Sequence, residues 1–200
     1  MTLLKTIGTM IEREKPEDLP RQIVIAAASV VKADIAALLV VDDQDYADVL
    51  AAFDVVQQRP IAAMAFKLDE QPTLQEALAS RIQRSLSADQ NLNEMVDLYT
   101  RLDIQKLGPV YFQPLTREGD IVGMLVVALP YTQRNLRENE RRLLESISPA
   151  AARLLMISRA AHRARLESQR SAAQAVLEGT EDAEQPLSNT AAIRAEMQAS

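Results

Sequence analysis

The sequence of 200 residues is long enough for one domain with extensions, and its hydrophobic content of 48% suffices for a buried core. A formal net charge of −6 argues against a nucleic-acid-binding surface, which needs a basic patch. The chain has no cysteine and one histidine, His162, which excludes disulfides, thiolate chemistry and clusters of histidine metal ligands.

The first predicted element is a short amphipathic helix within residues 1–16, where apolar side chains recur at helical spacing. Leu4, Ile7 and Ile11 give this helix more apolar surface than a terminal helix would leave in water, so we expect it to make a dimer contact. Acidic residues occur too early for a signal peptide, and no apolar stretch approaches the roughly 20 residues that span a bilayer. We therefore expect a cytoplasmic protein that makes no membrane contact.

A helix and two strands are predicted next. The helix runs from Leu19 to Lys32, with apolar residues along one face. The near-continuous apolar run at 34–43 is typical of a buried strand, and residues 48–56 provide a plausible hairpin partner for it. Together these segments predict a helix that leads into an antiparallel pair of strands.

The middle of the chain is less regular. Residues 61–68 fit a strand or a helix equally well, whereas residues 73–80 predict a short helix after Pro72. A short strand is predicted within 80–86. An amphipathic helix follows at 91–102, and its inward-facing side chains are expected to be Leu92, Met95, Leu98, Tyr99 and Leu102.

A β-hairpin is predicted at residues 114–129, where two apolar runs flank a polar turn that contains Gly119. The second run, Ile121–Leu129, shows no alternation of apolar and polar residues, which indicates a central strand covered on both faces. Gly123 lies inside this strand. A glycine in such a position usually marks a bulge or the close approach of another part of the chain.

A long helix is predicted from residue 135 to 178, interrupted only by Pro149. Its apolar residues approximate the three-four spacing of a coiled-coil seam, so we expect a parallel homodimer joined through this helix and the N-terminal helix. On the long helix the expected contacts are Leu143, Ile147, Leu154 and Ile157, which should lie beyond the reach of the domain's own sheet. Residues 179–200 are polar and predict a flexible tail.

The order of these elements predicts an α+β fold with a central antiparallel sheet and helices on both faces. An N-terminal helix at 1–16 and a long C-terminal signalling helix at 135–178 would flank a sensory domain at 17–134. The flexible tail at 179–200 would complete the chain.

The hairpin at 114–129 resembles the last two strands of GAF domains. Pro114-Leu115, Gly119 and the run Val122-Gly123-Met124-Leu125 match the family's pattern in register. The order of the remaining elements is also similar, over residues 2 to about 160. In this fold, the glycine of the last strand allows close packing against a neighbouring element. The resemblance implies a sensory module of a signalling protein, of the kind that binds a small ligand or none and often dimerises through its terminal helices.

Several ligands of the family are excluded by the residues present. Bilin attachment and the family's methionine-sulfoxide reductase activity need cysteines, and haem-binding members typically need a core histidine. Cyclic-nucleotide-binding members carry an Asn-Lys, Phe and Asp-Glu motif, which the stretch from Phe66 to Glu70 does not reproduce in spacing. We therefore expect no cofactor. His162 lacks the acidic residue and the proline that follow the phosphoacceptor of histidine kinases, and we interpret it as an exposed helical residue.

Six residues are candidates for lining a ligand cavity between the sheet and the small helices. They are Phe66, Met95, Tyr99, Tyr111, Gln113 and Met124. For the aromatic and methionine residues, ordinary core packing is the competing interpretation. For Gln113 the alternative is a strand end that water reaches.

The sequence therefore predicts a regulatory sensor module that binds a small molecule and transmits the change through a dimeric long helix. The alternative is a ligand-free dimerisation or scaffold module of the same fold. No motif supplies a nucleophile with a base, so we do not expect an enzyme. If the chain is part of a longer protein, the long helix would pass the signal to an output domain beyond residue 200.

Overall fold

The computed structural model describes residues 15–41 and 45–181. The helices of this part are α1 (Leu19–Val31), α2 (Pro72–Ser80), α3 (Leu92–Arg101) and α4 (Glu138–Glu181). The strands are β1 (Ile35–Val41), β2 (Tyr46–Asp54), β3 (Arg59–Pro60), β4 (Ala65–Lys67), β5 (Arg84–Leu86), β6 (Val110–Arg117) and β7 (Asp120–Ala128). The helix predicted near the N-terminus and most of the predicted tail lie outside the described residues.

The strands form one antiparallel sheet in the order β3-β2-β1-β7-β6-β5, and β4 pairs with β2 beside this path. β7 therefore lies between β1 and β6, and its last six residues are all buried. A strand covered on both faces has no polar face to display, which explains the unalternating apolar run. The predicted central position of Ile121–Leu129 is confirmed.

Helices cover both faces of the sheet. α1 and the first half of α4 bury their apolar side chains with Leu38, Leu115 and Leu125 of the sheet, and this side is called the α1/α4 face. α2 and α3 pack with Leu39, Met124 and other strand residues on the opposite side, which is called the α2/α3 face. The predicted α+β fold, with an antiparallel sheet between helices and a long C-terminal helix, is confirmed.

The amphipathic helix predicted at 91–102 is α3, and one of its expected inward residues was assigned wrongly. Met95, Leu98 and Tyr99 are buried, whereas Leu92 is 48% exposed. Leu92 is the first residue of the helix, before the point at which the helix meets the sheet. Apolar spacing identified the buried face, but it did not show where along the helix the packing begins.

α4 differs from its prediction in two respects. It continues through Pro149, and Ile147 and Leu154 are each only 6% exposed because they belong to the core of the α1/α4 face. The expectation that the sheet could not cover these two residues is therefore wrong. Leu143 and Ile157, by contrast, are 43% and 46% exposed. The helix thus places one edge of its apolar stripe on the domain and leaves the other edge accessible.

Gly123 lies where a third layer approaches the sheet. A Cβ atom at this position would lie 2.7 Å from Cδ2 of Leu155 on α4 and 2.8 Å from the carbonyl oxygen of Leu39 on β1. Both distances are shorter than a Cβ atom tolerates, so the absence of a side chain lets α4 and the neighbouring strand approach β7. The close approach predicted for this glycine is confirmed.

Replacement of Gly123 with valine should destabilise the domain by roughly 1–3 kcal/mol, the usual range for overpacking. Part of the clash can be relieved by Leu155, whose side chain is flexible, but the carbonyl of Leu39 belongs to a paired strand. Urea unfolding monitored by circular dichroism measures the change. A midpoint equal to that of the wild type would show that the site has room for a side chain.

Candidate ligand cavity and its connection to the long helix

An apolar cavity lies on the α2/α3 face, between the sheet, the two short helices and the segment that joins β3 to β4. Its volume is about 40 Å³, far below the several hundred Å³ of a typical drug-sized pocket. Strand residues form its floor, and Ile61, Met64, Leu74 and Leu98 form the opposite wall. Of the seventeen lining residues, Gln71 alone has a polar side chain. The cavity therefore suits a small, uncharged and mostly apolar molecule.

Four of the six residues predicted to line a cavity lie on this face. Phe66 borders the cavity directly. Met95, Tyr99 and Met124 belong to the same core cluster but are not among the residues that line the cavity. For these three, the competing interpretation as core residues describes their position.

Tyr99 has a structural hydrogen bond of its own. Its hydroxyl group donates to the carbonyl oxygen of Gly108 at 2.9 Å, in a fully buried position. Burial raises the pKa of Tyr99 far above its usual range, and the charge of Asp34 acts in the same direction. The phenol therefore remains protonated and holds the end of α3 against the segment that leads into β6.

Tyr111 and Gln113 lie on the opposite side of the sheet from the cavity, so their assignment to it is wrong. They alternate along β6 with Val110 and Phe112, which do line the cavity. The Tyr111 hydroxyl accepts a hydrogen bond from the backbone N–H of Leu136 at 3.0 Å. Because successive strand residues point to opposite faces, the side chains of Tyr111 and Gln113 face the α1/α4 side of the sheet.

Gln113 belongs to a chain of polar contacts at the side of α4. Its Oε1 accepts a hydrogen bond from Nε2 of Gln83 at 2.8 Å, and Oε1 of Gln83 accepts one from Nε of Arg141 at 2.9 Å. Gln113 is only 6% exposed, which excludes the alternative of a strand end open to water. Its amide connects β6 with α4.

Gln71 is a cavity residue that sequence reasoning missed. It precedes Pro72 at the start of α2, and it is only 1% exposed. Its Nε2 donates to Oδ2 of Asp97 at 3.0 Å, while its Oε1 has no hydrogen-bond partner among the described residues. A glutamine just before the first residue of a helix is normally exposed to solvent. The local sequence therefore gives no sign that Gln71 is buried.

A second group that the sequence did not reveal joins the sheet to the segment before α4. The Tyr131 hydroxyl donates to Oδ2 of Asp54 at 2.6 Å, and the backbone N–H of Tyr131 donates to Oδ2 of Asp34 at 2.8 Å. Both carboxylates are buried: Asp54 is the last residue of β2, and Asp34 immediately precedes β1. Burial, together with the hydrogen bond to Asp54 and its charge, raises the pKa of Tyr131 to about 12. The phenol therefore stays a hydrogen-bond donor at neutral pH.

Arg134 connects the same segment to both flanking helices. Its guanidinium donates to the carbonyl oxygen of Val31, at the end of α1, at 2.7 Å and to Oε2 of Glu140, in the first turn of α4, at 2.7 Å. Burial opposes ionisation of Glu140, but the hydrogen bonds from Arg134 and from the backbone N–H of Arg137 outweigh it and lower its pKa. Arg134 thus links the start of α4, through its ion pair with Glu140, to the end of α1, through its hydrogen bond to the carbonyl oxygen of Val31.

The described part of the chain offers no group of three or more acidic or histidine residues that could hold a metal ion. No helix within it is long and apolar enough to cross a membrane. His162 lies exposed on α4, outside the sensory core.

A sheet with a small apolar cavity on one face and a long helix packed on the other is the architecture of a GAF domain. A family model described as "GAF domain" matches residues 15–156. Because the match covers more than half of the chain, the protein belongs to the GAF domain family, whose members are generally regulatory modules of signalling proteins. Among curated proteins, no sequence matches the chain.

Several solved GAF domains share this fold at low sequence identity. The phycoerythrobilin-bound GAF domain of a cyanobacterial phytochrome is 14% identical and has a TM-score of 0.62, with 80% of this chain and 96% of that chain covered. The GAF domain of a phosphoenolpyruvate-protein phosphotransferase from Coxiella burnetii is 16% identical, with a TM-score of 0.61 and coverage of 80% and 95%. The GAF-B domain of DevS from Mycobacterium smegmatis is 16% identical, with a TM-score of 0.54 and coverage of 74% and 98%. At these identities, the likeness concerns the fold alone.

Proposed function

We propose that this GAF domain is a cytoplasmic, non-enzymatic sensor that binds a small molecule in the cavity on the α2/α3 face and transmits the change through a dimeric α4. The observation that carries the proposal is the cavity itself, which lies inside an otherwise filled core. Because the sequence has no cysteine and its one histidine, His162, lies on α4, the proposed ligand is neither a bilin attached through cysteine nor haem held by a core histidine.

The route from the cavity to α4 is proposed to pass through Tyr131. Its ring packs against the apolar cluster that surrounds the cavity, and its backbone precedes the first turn of α4 by seven residues. Asp34 and Asp54 hold this residue to the sheet. A ligand that shifts the walls of the cavity would therefore change the contacts of the segment that positions α4.

The proposed dimer uses the accessible edge of α4. Leu143, Ala150 and Ile157 follow one another at intervals of seven residues, the repeat of a coiled-coil position. Leu143 and Ile157 are among the large apolar side chains that remain exposed, which favours a second copy as their partner. Leu4, Ile7 and Ile11 of the N-terminal segment are proposed to join the same interface, whereas Ile147 and Leu154 serve the core of each subunit.

A ligand-free dimerisation or scaffold module is the second candidate. The observation that favours it is the small volume of the cavity, about 40 Å³, which leaves room for only a few atoms unless the walls move. Native mass spectrometry of freshly purified protein separates the two candidates, because it reports a retained ligand and the oligomeric state together. A dimer without ligand that also fails to bind any added small molecule would support the scaffold.

Replacement of both Leu143 and Ile157 with glutamate should convert the dimer into a monomer, because the change places like charges across the seam. Sedimentation equilibrium at tens of micromolar measures the result. In a matched control, Ile82 and Leu92 are both replaced with glutamate. These residues lie outside α4 and are 56% and 48% exposed, so the control variant should remain dimeric. Wild-type protein that sediments as a monomer, or a double variant that sediments as a dimer, would contradict this interface.

A further inference from the structure

We infer that a polar pocket at the start of α4 binds an acidic amino acid through its two carboxylates and its ammonium group. The pocket lies between the first turns of α4 and residues 81–83, which join α2 to β5, and its volume is about 230 Å³. It shares no lining residue with the apolar cavity on the α2/α3 face. The inference therefore does not depend on ligand binding in that cavity.

Five charged side chains line this pocket, and two of them pair with each other. Nε of Arg142 donates to Oε1 of Glu138 at 3.1 Å. The other three, Arg81, Arg141 and Glu145, form no ion pair with any residue that the structure describes. Two positive charges and one negative charge are thus left in the pocket. A ligand with two carboxylates and one ammonium group is complementary to them, and aspartate and glutamate have this set of charges.

Arg141 is held in place by a chain of amides that begins in the sheet. Its Nε donates to Oε1 of Gln83 at 2.9 Å, and Nε2 of Gln83 donates to Oε1 of the buried Gln113 at 2.8 Å. Gln113 belongs to β6, which pairs with a strand on each side. The two terminal nitrogens of Arg141 have no hydrogen-bond partner in the described part of the chain. A carboxylate can therefore accept from both of them at once, the arrangement that guanidinium groups favour.

The position of Glu145 favours an α-amino acid over a simple dicarboxylate. Glu145 follows Arg141 by four residues, so both side chains lie on one side of α4. Opposite charges at this spacing often pair, but Arg141 bonds to Gln83 instead. A carboxylate and an ammonium group that are attached to one carbon atom can contact both residues together. Arg81, on the other wall of the pocket, then remains for the second carboxylate of the ligand.

The volume of the pocket restricts the ligand to a small molecule. Liquid water occupies about 30 Å³ per molecule, and the 230 Å³ of the pocket lies below the usual range for drug-sized ligands. An amino acid of about ten non-hydrogen atoms suits this space, whereas a nucleotide is too large for it.

The pocket remains open in the proposed dimer. Leu143 of the proposed interface is two residues from both Arg141 and Glu145, which places it about 160° away around the helix. A ligand in the pocket would therefore connect residues 81–83 with the first turns of α4 without contacting the second copy.

Isothermal titration calorimetry of the full-length protein with L-aspartate and L-glutamate tests the inference, and we expect saturable binding. The tighter of the two is then compared with two analogues. One lacks the ammonium group (succinate or glutarate), and the other lacks the α-carboxylate (β-alanine or 4-aminobutyrate). Each analogue should bind at least about fivefold more weakly, because it loses one charged contact in a solvent-accessible site. Inorganic phosphate, a probe for a general anion site, should also bind more weakly.

Variants identify the residues that bind each group. Arg141→Gln and Arg81→Gln should each weaken binding at least about fivefold, and Glu145→Gln should remove the preference for the amino acid over the dicarboxylate. Arg153→Gln is the matched control, because Arg153 is an exposed arginine of α4 that does not line the pocket. All four side chains are exposed, so the variants should fold, as circular dichroism can verify.

Two kinds of result would overturn the inference. If neither amino acid binds saturably, or if both arginine variants bind as the wild type does, the pocket is not a ligand site. If the dicarboxylate or phosphate binds as tightly as the amino acid, the pocket is a general anion site and the assignment to an acidic amino acid is wrong. Neither result bears on the apolar cavity, which is tested separately.

Discussion

Replacement of Asp34 with alanine is expected to lower the free energy of unfolding by about 3 kcal/mol, because it removes three hydrogen bonds at one buried atom. Oδ2 of Asp34 accepts from the backbone N–H groups of Tyr131 and Thr132, each at 2.8 Å, and from the Thr132 hydroxyl at 3.1 Å. Without the carboxylate, these donors stay in a partly buried place and lose their acceptor. The change should also loosen the segment that positions α4.

Urea unfolding at neutral pH measures this change, and two variants serve as comparisons. Asp34→Asn keeps an acceptor oxygen and should lose less stability than the alanine variant. Asp48→Ala, on the exposed side of β2, should be nearly neutral. If Asp34→Ala unfolds within about 0.5 kcal/mol of the wild type, the hydrogen bonds from residues 131 and 132 do not hold the start of the long helix.

Replacement of Gly108 with alanine should lower the free energy of unfolding by about 3 kcal/mol or more, because the new Cβ atom would clash with backbone atoms and not with a flexible side chain. A Cβ atom at this position would overlap the carbonyl oxygen of Leu129 and lie 2.8 Å from Cα of Pro130. Leu129 and Pro130 follow the central strand β7, so neither can move without disturbing the sheet. The carbonyl oxygen of Gly108 also accepts the hydrogen bond of Tyr99 at 2.9 Å.

Thermal and urea unfolding of Gly108→Ala, compared with Gly119→Ala, test this expectation. At Gly119, the nearest atom to a Cβ would be Nη1 of Arg81 at 4.0 Å, so the cost there comes from the positive φ of 92° alone and should be about 1 kcal/mol. A Gly108→Ala variant no less stable than Gly119→Ala would show that the segments at 108 and 129 are not in fixed contact.

The sequence predicted helices and strands well where the pattern of apolar residues shows how an element is buried, either along one face or on both faces. The helix predicted at Leu19–Lys32 is observed at Leu19–Val31, and the unalternating run at 121–129 is the central strand. The close approach at Gly123 was also predictable from the sequence alone, because a glycine inside a strand usually marks a position where a neighbouring segment comes close.

The composition of the cavity was predicted only in part, for a geometric reason. Phe66, Met95, Tyr99 and Met124 do share a face, but Tyr111 and Gln113 point to the other side of β6. An apolar run buried on both faces has no polar residue to mark its phase, so its sequence does not show which residues face which layer. The phase follows from the pairing of β6 with β7 and β5.

What the sequence by itself determined is most of the longer helices and strands, the central strand and the family, because burial leaves a local pattern of apolar residues. What the tertiary structure alone decided is which partners these elements meet. It places Ile147 and Leu154 in the core and leaves Leu143 and Ile157 exposed on the same helix. It also buries Gln71 beside Asp97, 26 residues further along the chain. Such contacts join distant segments through the curvature and packing of the sheet, and no local spacing of residues encodes them.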